Sequence, residues 1–176
     1  MLLGLVIGAM MAIDMGGPFN KAAYVFATAA LTEGNAAPIT AAMIGGMIPP
    51  LAIATAMLIF RRKFTKEQRG SIVPNYVMGL SFITEGAIPF AAADPLRVIP
   101  SMMVGSGVAG AIALGLGSSI KAPYGGIFVI VGTDFNHILQ TLIALVVGTL
   151  VSALIYGFLK PKVTDNEIQA SQAMDE

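Results

Sequence analysis

The fold depends on residues 80–90, which read Leu80-Ser81-Phe82-Ile83-Thr84-Glu85-Gly86-Ala87-Ile88-Pro89-Phe90. Glu85 interrupts a long apolar stretch, with 14 uncharged residues before it (71–84) and eight after it (86–93). Inside a membrane an ionisable side chain costs roughly 2.5–3.5 kcal/mol on insertion scales, and it usually has a partner or a ligand there. Glu85 is therefore the first candidate functional residue.

The composition predicts an integral membrane protein. Of the 176 residues, 56% are hydrophobic and 11% are charged, whereas a soluble domain carries about 25% charged residues. The net charge of +0 hides a cluster, because five of the ten basic residues lie in 61–69. Apolar segments flank this cluster on both sides, which argues against a nucleic-acid partner.

Three uncharged stretches are long enough to cross a bilayer, which takes about 20 residues of helix. They are residues 34–60, 98–120 and 135–159, the last with one histidine. Two further uncharged stretches, 71–84 and 122–133, are too short to cross alone. The sequence therefore predicts three spanning helices and two shorter apolar segments.

The basic residues predict the orientation of these segments. By the positive-inside rule the loop 61–69 is cytoplasmic, and Lys160 and Lys162 put the C-terminus on the same side. The chain must then cross an even number of times between them, and two of the predicted spans already do so. Segments 71–93 and 122–133 are therefore expected to enter the membrane and turn back. The predicted fold class is an all-α integral membrane protein, a polytopic helical bundle with re-entrant (hairpin) segments.

The two ends of the chain set the predicted domain boundaries. Only 13 residues precede Asp14, about 20 Å of helix at 1.5 Å per residue. Because that is too short for a span, Met1 is expected to lie inside a membrane helix, and the chain is expected to be part of a larger or split transporter. Residues 1–160 form the predicted membrane domain, and 161–176 form a polar cytoplasmic tail.

A first polar cluster is formed by Asp14-Met15-Gly16-Gly17-Pro18-Phe19-Asn20-Lys21. Its Gly-Gly-Pro turn leaves backbone groups unpaired, and Asp14, Asn20 and Lys21 add a carboxylate, an amide and a cation. This mixture suits a sugar, whose hydroxyls both donate and accept hydrogen bonds. The alternative is an interfacial loop in which Asp14 and Lys21 pair with each other.

The second cluster surrounds Glu85, with Thr84 before it and Pro89 after it. An ionised glutamate accepts hydrogen bonds from two adjacent hydroxyls, and such charge-assisted bonds are about twice as strong as neutral ones. Phe82 or Phe90 offers an apolar face to the C–H surface of a sugar. The sequence thus places a hydroxyl-binding group beside an aromatic ring.

The neighbouring charges leave structural alternatives open. Glu85 alternatively forms an ion pair with Arg97 or Lys121, whereas Asp94 and Arg97, spaced i to i+3 just past proline-containing turns, are expected to have a structural role. Lys121 either neutralises a carboxylate or lies at the membrane interface. The lone His137 is expected to cap a helix or lie at the interface. With no cysteine and one histidine, no metal site and no cofactor is predicted.

Two motifs together carry a family resemblance: Ala12-Ile13-Asp14-Met15-Gly16-Gly17-Pro18-Phe19-Asn20-Lys21 and Phe82-Ile83-Thr84-Glu85-Gly86-Ala87-Ile88-Pro89-Phe90. They resemble the membrane (IIC) component of bacterial fructose-type phosphotransferase systems, and the resemblance covers residues 1–160. In that family a Gly-Ile-x-Glu type motif places a glutamate on the sugar, and its match here is Ser81-Phe82-Ile83-Thr84-Glu85. Ser81-Phe82 depart from the Gly-Ile part of the pattern, while the glutamate is retained.

The resemblance implies a homodimeric, multi-pass sugar permease of the bacterial inner membrane. Its partners would be the IIB and IIA phosphocarrier domains and the N-terminal half of IIC, and its sugar would be fructose or a related hexose or hexitol. Because the chain has no cysteine, it lacks the residue that carries phosphate in IIB, and whether it counts as an enzyme stays open. The candidate substrate-binding residues are Glu85, Thr84, Asp14, Asn20, Lys21 and Pro89. Glu85 either orients a sugar hydroxyl or acts as its base.

Three other functions remain as alternatives at this point. In a proton-coupled secondary sugar transporter, Glu85 would carry the proton, since broken helices at the midplane are general to transporters. An intramembrane hydrolase would use Asp14 and Asp134, although neither lies in a catalytic motif. A subunit or fragment with no transport of its own is the third.

Overall fold

The computed structural model describes residues 1–132 and 134–163. Within these residues the chain is helical and contains no strand. The helices are α1 (Leu2–Ile13), α2 (Pro18–Thr32), α3 (Ala37–Ile59), α4 (Lys66–Gly70), α5 (Ile72–Leu80), α6 (Ile88–Ala93), α7 (Pro95–Gly115), α8 (Ile127–Ile130) and α9 (Phe135–Leu159), with 3₁₀ turns at Arg61–Lys63 and Thr84–Ala87.

Three of these helices, α3, α7 and α9, are long and apolar enough to cross a membrane. They confirm the all-α membrane fold class that the sequence predicts. Helix α9 matches the predicted span at both ends, whereas α7 begins three residues before residue 98 and ends five before residue 120. It begins early because Pro95 fits the first turn of a helix, where its missing N–H costs nothing. It ends early before Gly117, whose φ is +80°.

Helix α3 forms the centre of the bundle and packs against α1, α2, α5, α7 and α9. Almost all of its side chains are buried, including those of Pro49 and Pro50. A proline has no N–H to donate to the carbonyl four residues earlier, so the carbonyls of Gly45 and Gly46 lose their helical partners. The hydroxyl of Thr84 donates to the Gly46 carbonyl oxygen at 2.9 Å. A helix position without its internal hydrogen bond is thereby tied to the segment that carries Glu85.

Small residues let α1 approach α7 closely. A Cβ added to Gly4 would collide with the carbonyl oxygen of Gly110, and one added to Gly8 would collide with that of Ser106. Ser106 and Gly110, spaced four residues apart on α7, are small enough to allow this close approach.

The two segments predicted to be re-entrant are both broken into short pieces. Residues 71–93 contain α5, a 3₁₀ turn and α6, and residues 122–133 contain α8. Helix α5 ends where Ile83 N–H donates to the Met78 carbonyl at 2.9 Å, and Phe82 takes the left-handed conformation (φ 63°) that glycine usually fills there. Entry and return across a bilayer stay predictions, and residues 164–176 of the predicted tail lie outside the described part.

Candidate functional site

A pocket of about 210 Å³ opens where the end of α1, the start of α2, the turn after α5 and the loop before α8 meet. Both polar clusters predicted from the sequence contribute to it, and so does the loop that follows Lys121. Its lining residues are Met11, Gly16, Asn20, Lys21, Tyr24, Phe82, Thr84, Glu85 and Tyr124. Four of the six predicted substrate-binding residues therefore line one pocket.

Glu85 presents an exposed carboxylate to this pocket. Within the described residues it forms no ion pair; Arg97, one of its alternative partners, lies 3.0 Å from Asp94 Oδ2 instead. Neither Arg97 nor Lys121 is among the described residues that line the pocket. The carboxylate oxygens of Glu85 thus remain available to accept hydrogen bonds from a ligand.

Gly16 makes room for this carboxylate. A Cβ added to Gly16 would lie 2.8 Å from Glu85 Oε1, and the backbone there has a φ of +112°. Side chains rarely adopt that conformation, and glycine adopts it freely. The Gly-Gly turn of the first cluster therefore seats against the glutamate of the second.

Lys21 and Asn20 supply the other polar groups of the pocket. Lys21 is exposed at the pocket wall and forms no ion pair with the described residues. Asn20 Nδ2 donates to the Met11 carbonyl oxygen at 2.7 Å, which ties the start of α2 to the end of α1. That bond leaves Asn20 Oδ1 as an acceptor. One cation and one amide oxygen thus share the pocket with the carboxylate.

Asp14 has a different position from the one expected for a ligand-binding residue. Its carboxylate accepts hydrogen bonds from the backbone N–H groups of Phe19 (2.7 Å) and Asn20 (3.0 Å) at the start of α2. A carboxylate there satisfies unpaired helix N–H groups and interacts favourably with the helix dipole. Asp14 is not among the described residues that line the pocket, and it does not pair with Lys21. It holds the helix that carries Asn20 and Lys21.

Thr84 and Pro89 also have structural roles, one in a hydrogen bond to a backbone carbonyl and the other in the first turn of a helix. Thr84 is buried at the pocket wall, and its hydroxyl is committed to the Gly46 carbonyl. Pro89 is exposed in the first turn of α6 and is not among the described residues that line the pocket. Thr84 thereby fixes the turn that carries Glu85, while Pro89 starts the next helix.

Three aromatic rings form one wall of the pocket. The ring centroids of Tyr24 and Phe82 lie 6.2 Å apart, and those of Phe82 and Tyr124 lie 5.3 Å apart. The Tyr24 hydroxyl donates to the Pro123 carbonyl oxygen at 2.9 Å, which holds the loop of Tyr124 against α2. The sequence predicts Phe82 as an aromatic face; Phe90, its alternative, is buried and is not among the described lining residues.

Sequence reasoning missed Tyr24, Tyr124 and Met11. Tyr24 had a usable signal, because it lies four residues after Asn20 and therefore on the same face of α2. Tyr124 gave none, since it reaches the pocket through a loop. Gly126 allows that approach: a Cβ added there would collide with the carbonyl oxygen of Leu80.

Backbone strain is concentrated around the pocket. Met15 (φ 47°) and Phe82 (φ 63°) are the residues other than glycine with positive φ in the described chain. Met15 precedes Gly16, and Phe82 lies in the pocket wall. Conformations of this kind cost of order 1–3 kcal/mol each and cluster at functional sites. The strain therefore supports a functional role for the same pocket.

The chain is similar to several known proteins over nearly all of its length. It is 52% identical over 94% of its residues to the PTS system fructose-specific EIIB'BC component of Xanthomonas campestris pv. campestris. It is 52% identical over 93% to the PTS system fructose-specific EIIABC component of Bacillus subtilis, and 51% identical over 93% to the Fructose permease IIC component of Bacillus amyloliquefaciens. The chain matches the IIC part of fructose phosphotransferase systems.

This finding confirms the resemblance predicted from the two motifs. The chain spans 29%, 26% and 53% of the lengths of these three relatives. It therefore matches only a part of each of them. No family model and no solved structure matches the chain. Together the IIC match and the three long apolar helices identify it as a membrane protein.

Proposed function

We propose that this chain binds and translocates a sugar, fructose or a related hexose or hexitol, as the membrane permease part of a phosphoenolpyruvate-dependent phosphotransferase system. The observation that carries the proposal is the carboxylate of Glu85, which has no ion pair among the described residues and lines a small pocket of a chain that matches IIC proteins. The names of these relatives specify fructose. The pocket is the candidate place where the sugar is held.

The chemistry of the pocket suits a polyhydroxylated ligand. Glu85 and Asn20 Oδ1 accept hydrogen bonds from sugar hydroxyls, while the Lys21 ammonium donates to them. The rings of Tyr24, Phe82 and Tyr124 give an apolar surface for the C–H face of the sugar. The volume of about 210 Å³ is smaller than the roughly 300–1,000 Å³ of clefts for drug-sized ligands. One monosaccharide is therefore the expected occupant.

Glu85 is proposed to orient the sugar rather than to transfer phosphate. A carboxylate cannot serve as the phosphocysteine of a IIB domain, and the chain has no cysteine. The relatives named EIIB'BC and EIIABC carry B or A components in the same chain as C. We propose that a IIB domain, charged by IIA, phosphorylates the sugar that Glu85 holds, and that Thr84 supports this glutamate from α3.

The arrangement in the membrane is part of the same proposal. The chain would work in a bacterial inner membrane with its C-terminus on the cytoplasmic side, beside an N-terminal half of IIC and as a homodimer. Segments 71–93 and 122–133 would enter the bilayer and turn back. Irregular backbone is tolerated at membrane depth only where it is buried or lines a cavity, and the pocket supplies such a cavity.

The energy source tests the proposal. Membrane vesicles that contain this chain together with an N-terminal half of IIC and the B and A components should take up fructose when phosphoenolpyruvate and the soluble phosphocarriers are supplied. A protonophore that collapses the proton gradient should leave this uptake intact. Uptake that stops with the gradient while phosphoenolpyruvate remains would instead identify a proton-coupled transporter. No uptake under either condition would favour a subunit without transport of its own.

A further inference from the structure

A second pocket, of about 370 Å³, lies where α3 and α9 both end. It shares no lining residue with the pocket of Glu85. Four basic side chains and three apolar ones line it: Arg61, Arg62, Lys63, Lys162, Leu58, Ile59 and Phe60. This basic pocket combines a cluster of cations with apolar surface, and the proposed sugar transport does not use it.

Helix packing accounts for only one of its four cations. Lys63 Nζ donates to the carbonyl oxygens of Gly157 (2.7 Å) and Phe158 (3.3 Å) in the last turn of α9. A cation at that position offsets the partial negative charge of a helix C-terminus. Among the described residues, the ion pair is that of Arg97 with Asp94. Arg61, Arg62 and Lys162 therefore form no ion pair with this part of the chain. Three positive charges therefore face the basic pocket without a partner from this part of the chain.

The apolar surface beside these charges belongs to membrane-spanning helices. Leu58 and Ile59 end α3 with 40% and 50% of their surface exposed, and Phe158 and Leu159 end α9 with 71% and 52% exposed. Because α3 and α9 are long and apolar enough to span, we expect their ends to lie at the boundary between hydrocarbon and water. That position would put the cations at headgroup level, beside the exposed apolar side chains at the ends of the same helices.

We propose that the basic pocket binds an anionic phospholipid of the surrounding bilayer. The phosphate would be held by Arg61, Arg62 and Lys162, since a guanidinium matches phosphate oxygens with two parallel hydrogen bonds. The acyl chains would lie along Leu58, Ile59, Phe158 and Leu159. A free phosphate would leave this apolar surface uncovered, and a zwitterionic lipid would leave positive charge uncompensated. Basic pockets between membrane helices are known to recognise anionic headgroups.

Lipid retention tests this proposal. The full chain, equilibrated with mixed vesicles of phosphatidylglycerol and phosphatidylcholine and then extracted in detergent, should retain phosphatidylglycerol preferentially by native mass spectrometry. A double variant, Arg61→Gln/Arg62→Gln, should bind it roughly 25-fold more weakly, because each juxtamembrane cation contributes about fivefold in affinity. Lys66→Gln/Lys121→Gln removes the same charge from exposed positions outside the pocket and should retain the lipid.

The following results would overturn the proposal. These are equal retention of the two lipids, equal loss in the control variant, and full displacement of phosphatidylglycerol by millimolar inorganic phosphate, which would assign the pocket to a free anion. If the double variant does not fold, Lys162→Gln serves in its place, with an expected loss of about fivefold. Lys162 follows the last helix and makes no side-chain hydrogen bond to residues 1–132 or 134–163, so unchanged retention in that variant would also contradict the proposal.

Discussion

At the scale of single residues, the pocket depends on a contact between a glycine and a carboxylate. Gly16 has a φ of +112°, and its missing side chain leaves the space that Glu85 Oε1 fills. Gly34 has a comparable φ of +88° but nothing within 4 Å of its Cβ position. A substitution at Gly34 introduces backbone strain alone, whereas one at Gly16 introduces strain and also displaces Glu85, so comparing the two distinguishes these effects.

We expect Gly16→Ala to weaken fructose binding roughly 10- to 150-fold, because its methyl group displaces the Glu85 carboxylate and the hydrogen bond from that carboxylate to the sugar is lost. Gly34→Ala should keep fructose binding and lose only about 1–2 kcal/mol of stability from its left-handed backbone. Equilibrium binding of radiolabelled fructose and the thermal unfolding midpoint Tm in detergent measure the two effects. Equal fructose affinity in both variants would show that the contact between Gly16 and Glu85 does not matter for binding.

Single residues also mark the limit of what the sequence could predict. Glu85, Thr84, Asn20 and Lys21 could be found because a polar residue contrasts with an apolar membrane chain. Tyr24 and Tyr124 could not be found that way, since aromatic residues are common in such chains and give no contrast. Asp14 was recognised as important, but a carboxylate in a loop looks the same in sequence whether it binds a ligand or caps a helix.

At the scale of elements, the paired prolines of α3 explain how a distant turn is held. Pro50 cannot donate to the Gly46 carbonyl, and the Thr84 hydroxyl, 38 residues away, donates to it instead. Both groups are buried, so an unpaired Gly46 oxygen would keep its full desolvation cost. The proline-containing part of α3 and the turn that carries Glu85 therefore depend on each other.

Replacing the Thr84 hydroxyl should lower stability. Thr84→Val leaves the Gly46 carbonyl unsatisfied and is expected to lose about 1–3 kcal/mol, seen as a lower Tm. Thr84→Ser keeps the hydroxyl and should stay within about 1 kcal/mol of the parent chain. If the valine variant were as stable as the serine variant, the bond to α3 would contribute nothing.

The helices themselves could largely be predicted, and their cross-links could not. The length of the uncharged stretches was enough to predict α3 and α9, because a helix that crosses a bilayer needs a minimum number of consecutive apolar residues. A search for uncharged stretches starts the second span after the charged Arg97, at residue 98. Helix α7 starts earlier, at Pro95, because proline suits the first turn of a helix. A hydrogen bond between a threonine and a helix 38 residues away leaves no periodic signal in the sequence.

At the scale of the whole molecule, close helix crossings hold the bundle together. The crossing of α1 and α7 brings Gly4 against Gly110 and Gly8 against Ser106. Lipid tails are as apolar as leucine, so association in a membrane depends on such close packing rather than on a hydrophobic driving force. The end of α1 carries Met11 into the pocket, so this crossing also positions the candidate site.

We expect Gly110→Ala to destabilise the bundle by about 1–3 kcal/mol, because its Cβ meets a backbone oxygen that cannot move aside easily. Gly70→Ala is the matched control, since nothing lies within 4 Å of that Cβ position. Thermal unfolding in detergent compares the two. Equal Tm values for the two variants would mean that α1 and α7 can separate without cost.

The global architecture was predictable to the level of fold class. Composition and uncharged length give an all-α membrane protein, and the short broken segments fall where glycine and proline are dense. The meeting of three loops at one pocket was not predictable, because it depends on how α1, α2 and α5 pack around α3. The similarity identifies the part of a phosphotransferase system that the chain matches, and the geometry of the pocket makes Glu85 the candidate ligand-binding residue.

The most direct measurement of the central claim is the fructose affinity of Glu85→Gln beside that of Glu33→Gln. Both substitutions remove one negative charge from an exposed glutamate, but only Glu85 lines the pocket. A hydrogen bond to a charged group is worth about 1.5–3 kcal/mol, so the Glu85 variant should bind fructose roughly 10- to 150-fold more weakly while the Glu33 variant binds it normally. Unchanged affinity in the Glu85 variant would contradict the account.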